Sequence, residues 1–152
     1  MRVTAKADYA VRAALELATA KDAGPLKGEA IAEAQQIPLK FLENILIELR
    51  HAGIVRSQRG PEGGYWLDRP PGEIKVGDVI RAVEGPLASV RGEPAEDLHY
   101  AGSAEGLQDV WVALRASLRS VLDKVSLAEV ASGRLPAELA ALTKDPDAWH
   151  RR

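Results

Sequence analysis

Residues Ile54 to Leu67 read IVRSQRGPEGGYWL, a short β-prone run, a turn holding three glycines and a proline, and a second β-prone run. Strand, glycine turn and strand predict a hairpin. What restricts the fold is its position directly behind an amphipathic segment. In that segment Phe41, Leu42, Ile45, Leu46 and Leu49 recur at helical spacing, and Ala52-Gly53 supplies the stop. Upstream, Glu29 to Gln35 predicts a short helix with Ala30, Ile31 and Ala34 as its apolar stripe. Ile37-Pro38 then forces a turn, because a residue preceding proline is biased away from helical angles. The first helix starts behind Thr4 as N-cap, buries Ala7, Ala10, Val11, Ala14, Leu15 and Ala18, and ends at Gly24-Pro25. Two helices separated by about four residues make a helix-turn-helix. With the hairpin behind them they predict a winged helix-turn-helix, a fold that is mainly α with a small β-hairpin wing (α+β).

Pro70-Pro71-Gly72 breaks the chain, and Val76, Val79, Ile80 and Val83 predict a short helix closing a DNA-binding domain over residues 1–84. Residues 85–104 form a polar connection without periodicity, long enough to be either functional or disordered. Residues 105–133 carry a long helix and a short one that follows. In the long helix Leu107, Trp111, Leu114, Leu118, Val121 and Val125 stand 4, 3, 4, 3 and 4 residues apart, an a/d seam that needs a partner helix. The expected partner is the same helix of a second copy, making the seam a dimerisation surface; packing onto the chain's own domain is the alternative. Ser126 with Glu129 forms a capping box that starts the short helix. Residues 134–152 are an alanine-rich tail, read as a surface helix or disorder.

The composition is that of a globular protein, 46% apolar and 28% charged, and no apolar run approaches the roughly 18 residues of a membrane span. The N-terminus lacks the apolar stretch of a signal peptide, so a cytoplasmic protein without a membrane role is expected. The chain has no cysteine, which excludes disulfides, a thiolate nucleophile and any sulfur-held metal. Net charge is −2, so charge alone does not nominate nucleic acid as a partner. His99 with Glu93, Glu96 and Asp97 offers oxygen and imidazole donors on a polar loop of no fixed geometry, and no metal is expected there. With no metal-ligand cluster and no glycine-rich phosphate loop leading into a helix, the chain does not read as an enzyme.

In a winged helix the second helix of the pair enters the major groove by its N-terminal half, which here brings Pro38, Leu39, Lys40, Glu43 and Asn44 nearest the bases. Lys40 can donate to phosphate or guanine, Asn44 can pair with an adenine edge, and Glu43 can accept from a cytosine amino group. A solvated helix surface is the alternative for each. In the wing, Gly60, Gly63 and Gly64 leave backbone bare enough to approach a sugar-phosphate strand, beside Arg56, while Arg59 can reach the narrow, negative minor groove. Arg2, Thr4, Lys6 and Tyr9 start the first helix, where N–H groups and hydroxyls suit a phosphate.

The stretches MRVTAKADYAVRAALELA and IPLKFLENILIELRHAGIVRSQRGPEGGYWLDRPPGEIKVGDVIRAVEG closely resemble the Rrf2 family of bacterial transcriptional regulators, of IscR, NsrR and CymR type, over residues 1 to about 131. The most specific pieces are Thr4-Ala5-Lys6, Tyr9-Ala10, Leu42-Glu43, Gly53, RGPEGGY and Val76-Gly77-Asp78-Val79-Ile80. The resemblance implies a homodimer that binds palindromic double-stranded promoter DNA, usually as a repressor, with Glu43 and Arg59 among the reading positions and the long helix as the dimer interface. A small-molecule or protein effector belongs to that picture. Sensing members hold an iron-sulfur cluster through three cysteines in the connection before the dimer helix. Here that connection reads VRGEPAEDLHYAGSAEG, with Gly92 where the first cysteine would align. Asp8, Arg12 and Glu33 supply no replacement set, so no cofactor is expected and the chain is closer to the cluster-free branch. A second reading of the same residues is a protein-interaction module on a winged-helix scaffold, acting through a partner enzyme.

Overall fold

The computed structural model describes residues 1–20 and 22–152. Helix α1 (Ala5–Thr19) runs through the centre of the fold. Its buried face is Ala7, Ala10, Ala13, Ala14, Leu17 and Ala18, and side chains this short let neighbouring helices approach closely. Val11 and Leu15, expected inside, are half-buried. The Thr4 hydroxyl caps α1 by accepting from the Ala7 N–H at 3.0 Å, and it donates to the Glu84 carboxylate. Thr4→Ala is expected to cost about 1 kcal/mol, read as a fall of roughly 2–4 °C in the thermal midpoint.

Helix α2 (Gly28–Gln35) buries Ile31 and Ala32, not the stripe of Ala30, Ile31 and Ala34, because the helix is short and only its inner edge meets α1 and α3. Gln36, in the left-handed region at φ 52°, ends it. Helix α3 (Leu39–His51) buries Leu42, Ile45, Leu46 and Leu49. Strands β1 (Val55–Gln58) and β2 (Gly64–Leu67) pair antiparallel with Val55 opposite Leu67 and Gln58 opposite Gly64. A third segment joins them: Leu26 donates to the Tyr65 carbonyl at 2.9 Å and accepts from the Tyr65 N–H at 2.7 Å. Helix α4 (Val76–Glu84) then lies across α1, burying Val79 and Val83 while Val76 and Ile80 stay half-buried.

Helix α5 (Leu107–Leu122) is the long helix, and it is shorter than the seam counted along the sequence. It stops at Leu122, so Val125, counted with the dimerisation seam in the sequence, lies beyond the face of this helix. Val125 is 5% exposed within its own chain, and its carbonyl accepts from the Val76 N–H at 3.0 Å. The reason is local: Ser126 is already the N-cap of α6 (Leu127–Ser132), and the chain must turn between the two helices. Leu127 joins the core formed by α1, α3 and α4. At the same turn Arg81 of α4 donates to both oxygens of Asp123, at 2.8 and 2.6 Å, tying the end of α5 to α4. The tail contains α7 (Ala137–Lys144), with Leu139 buried.

The α6 capping box is complete: the Ser126 hydroxyl accepts from the Glu129 N–H at 3.1 Å, and the Glu129 carboxylate accepts from the Ser126 N–H at 2.7 Å. Hydrogen bonding from the Ser126 N–H, aided by the Ser126 hydroxyl and Lys75, holds the Glu129 carboxyl below its ordinary value of 4.5. A group depressed on folding stabilises above its ordinary value and loses that contribution as pH falls through the folded one. Glu129→Gln is therefore expected to be less stable than wild type near neutrality and to lose less on acidification below about pH 4.5, in unfolding curves taken across that range.

Candidate nucleic-acid interface

Helix α3 turns Leu39, Lys40, Phe41, Glu43, Asn44, Ile47 and Arg50 outward. Pro38 stands at its N-cap, exposed and extended at ψ 123°, and leads the chain into the helix. Lys40, Glu43 and Asn44 have no ion-pair or side-chain hydrogen-bond partner among the described residues. They form one ridge, since positions three and four apart share a helix face. Phe41 was expected inside and is 52% exposed, with its ring edge-on to Tyr9 at 6.1 Å between centroids. Ile47, absent from the expected reading set, is 41% exposed on the same ridge.

The ridge is flanked by two clefts. One, of about 420 Å³, runs between α3 and the wing and is bordered by Glu43, Ile47, Arg50, Gln58, Arg59 and Gly60. The other, of about 390 Å³, runs between α3 and α1 and is bordered by Lys6, Phe41, Asn44, Ile47 and Glu48. Ile47 borders both.

Arg59 is exposed at the start of the wing turn and has no ion-pair partner among the described residues. Arg56 is engaged, 3.5 Å from Asp68. Gly60 is exposed at the turn, whereas Gly63 and Gly64 are buried at its base. A Cβ on Gly63 would lie 2.0 Å from the Gln58 carbonyl oxygen, and one on Gly64 would lie 2.5 Å from the Leu26 carbonyl oxygen. Lys27 holds the turn from the α2 side, its ammonium donating to the Gly60 carbonyl at 2.6 Å. Sequence reasoning missed Leu26 and Lys27, whose only signal is a position just before α2.

At the N-terminus Arg2 is exposed. Lys6 pairs with Glu48 of α3 at 2.9 Å, and Tyr9 lies under the guanidinium of Arg12, on its own helix, at 4.9 Å and meets the Phe41 ring edge-on, so neither side chain stands free. Arg2 and Thr4 border a third, open cavity of about 360 Å³, also lined by Ile80, Leu87, Leu118 and Leu122, where the N-terminus, α4 and α5 meet.

This arrangement has relatives. The model of the Rrf2 family, described as iron-dependent transcriptional regulator, matches residues 3–133. The chain belongs to the Rrf2 family. It is 53% identical over 145 residues to an HTH-type transcriptional regulator of Mycobacterium tuberculosis, covering 95% of this chain and 90% of that one. It is 35% identical over 132 residues to the HTH-type transcriptional regulator CymR of Bacillus subtilis, covering 87% and 91%. Among solved structures, CymR, the global cysteine regulator of B. subtilis, superimposes with a TM-score of 0.73 at 31% identity, covering 87% of this chain and 97% of that one. IscR of T. potens does so with a TM-score of 0.69 at 33% identity, covering 100% and 93%. This Rrf2-family chain is thus a transcriptional regulator of the winged-helix type, and its relatives are not enzymes.

The family's description raises iron, and the donors here do not fit it. The sequence has no cysteine, and among the described residues no three of His, Asp and Glu come close enough to hold a metal ion. The connection is instead tied down by protein groups. Leu87, Ala95 and Leu98 are buried, and Val90 and Glu93 exchange backbone hydrogen bonds at 2.9 and 3.0 Å across a tight turn. Gln108 donates to the Glu96 carbonyl at 2.9 Å, Arg115 pairs with the Glu96 carboxylate, and the Trp111 indole donates to the Tyr100 hydroxyl at 3.0 Å. On α5, Leu107, Trp111, Leu114, Leu118 and Val121 are all half-buried, and Val110 is 54% exposed. No helix is long and apolar enough to cross a membrane among the described residues.

Proposed function

We propose that this chain is a homodimeric, sequence-specific DNA-binding regulator that represses transcription from a palindromic promoter site and works without an iron-sulfur cluster. The observation that carries the reading is the wing's attachment. Arg59 projects from a turn sutured by Leu26 and Lys27 to the start of α2, so the wing and the open α3 ridge form one preoriented surface. In this reading residues 1–84 contact DNA, with Lys40, Glu43 and Asn44 at base edges in the major groove and Arg59 in the minor groove. Arg2 and the bare backbone at Gly60 lie along the flanking phosphates.

Two copies related by a two-fold axis read two half-sites, and the apolar side of α5 supplies the contact between them. Leu107, Trp111, Leu114, Leu118 and Val121 are half-buried in one chain, which leaves them area to bury against a second. The connection at 85–104 carries the link between the reading surface and that helix. A small-molecule or protein effector would have its natural place between the DNA-binding domain and α5, where the N-terminus, α4 and α5 border a cavity of about 360 Å³.

The reading is tested by incubating sheared genomic DNA of the source organism with the purified protein and sequencing the retained fragments. A two-fold symmetric motif with half-sites about one helical turn or a multiple of it apart is expected. Retained fragments that share no motif would refute it.

A further inference from the structure

Ile47 is the unexplained side chain of the reading surface. A single isoleucine at a protein surface needs no reason, but this one sits where a reason exists. It lies on the open ridge of α3, three residues after Asn44 and four after Glu43, and it borders both clefts beside that helix. The buried stripe of α3 is Leu42, Ile45, Leu46 and Leu49, so Ile47 is out of phase with the core and stays 41% exposed. Residues three apart on a helix have Cβ atoms about 5–6 Å from one another. A β-branched side chain in a helix is also held to one dominant rotamer, so its methyl groups have a fixed place.

The major-groove edge of an A·T pair offers an adenine acceptor and donor on one side and a thymine carbonyl and methyl on the other. An asparagine and an apolar side chain standing next to each other match those two halves. We propose that Ile47 is a specificity-determining residue that reads thymine through its 5-methyl group, within the same A·T step that Asn44 reads through adenine. Burying the methyl against Ile47 removes apolar surface from water on both partners, which no cytosine or uracil at that position reproduces. The assignment rests on the DNA-binding reading above.

The test uses the full chain and the duplex recovered from the genomic selection, resynthesised with deoxyuridine in place of each thymine in turn, symmetrically in both half-sites. Uracil keeps every hydrogen-bonding group of thymine and loses only the methyl. At one symmetric position wild type is expected to bind the uracil duplex about four-fold more weakly per methyl lost, the scale of one buried carbon. Ile47→Ala, a surface change whose fold is checked by its thermal midpoint, is expected to bind thymine and uracil duplexes alike at that position while still preferring them over a scrambled duplex. Equal losses in wild type and Ile47→Ala, or no loss at any thymine in wild type, overturn the assignment and leave sequence-specific binding standing. Failure of wild type to prefer the selected duplex overturns both.

Discussion

Gly64→Ala is expected to detach the wing, lowering stability by about 2–4 kcal/mol and the thermal midpoint by roughly 4–16 °C. Two effects act together. Gly64 has φ +147°, a conformation that an L side chain rarely adopts, and its Cβ would meet the Leu26 carbonyl oxygen at 2.5 Å. That oxygen accepts from the Tyr65 N–H at 2.7 Å, and the Leu26 N–H donates back at 2.9 Å, so relieving the clash opens the bridge that fixes the wing. DNA affinity should fall as well, because Arg59 loses its platform. Gly60→Ala is the contrast. Gly60 also has positive φ, at +104°, but nothing lies within 4 Å of its would-be Cβ. Only the backbone penalty of about 1 kcal/mol is expected there, with the bridge intact. Thermal unfolding of the two variants side by side checks both. Equal, small losses would mean that the suture does not hold the wing.

Arg59→Ala is expected to weaken binding of the selected duplex about ten-fold or more at moderate salt, with the midpoint of unfolding unchanged. The guanidinium is exposed and unpaired among the described residues, so its removal costs the fold nothing. A hydrogen bond to a charged group contributes about 1.5–3 kcal/mol, and a dimer makes the contact twice. A cation in the minor groove also displaces condensed counterions, so losing one from each copy should make the log–log salt slope shallower by about two. Arg59→Lys keeps the charge and loses the planar fork, and should fall between the two. Anisotropy titrations at several salt concentrations give all three numbers. An unchanged affinity for Arg59→Ala would remove the wing from the interface.

Local chemistry made much of this fold legible in the sequence. The glycine turn behind α3, the Thr4 cap and the Ser126–Glu129 box each involve residues close in the chain, and each formed. Periodicity served less well. It marked Phe41 as core because it reports hydrophobicity without saying which side a neighbour covers, and Phe41 is half open beside Tyr9. It extended the α5 seam to Val125, since a 4-3 count does not see that Ser126 must start another helix. The bridge between Leu26 and Tyr65 joins residues far apart in sequence, neither of which carries a pairing pattern. The connection looked structureless because its buried members, Leu87, Ala95 and Leu98, follow no period. Of the reading set, Lys40, Glu43, Asn44 and Arg59 come to one exposed surface, while Lys6 and Arg56 are occupied by acidic partners.

On the proposed reading, two copies of this chain bind one symmetric DNA site in preference to other DNA. Sedimentation of the protein with the selected duplex and with a scrambled duplex of equal length, over rising salt, decides this. Two chains per selected duplex, a preference over the scrambled one of about a thousand-fold or more, and a steep loss of affinity with salt are expected. Weak binding of equal strength to both duplexes, or one chain per site, would contradict it.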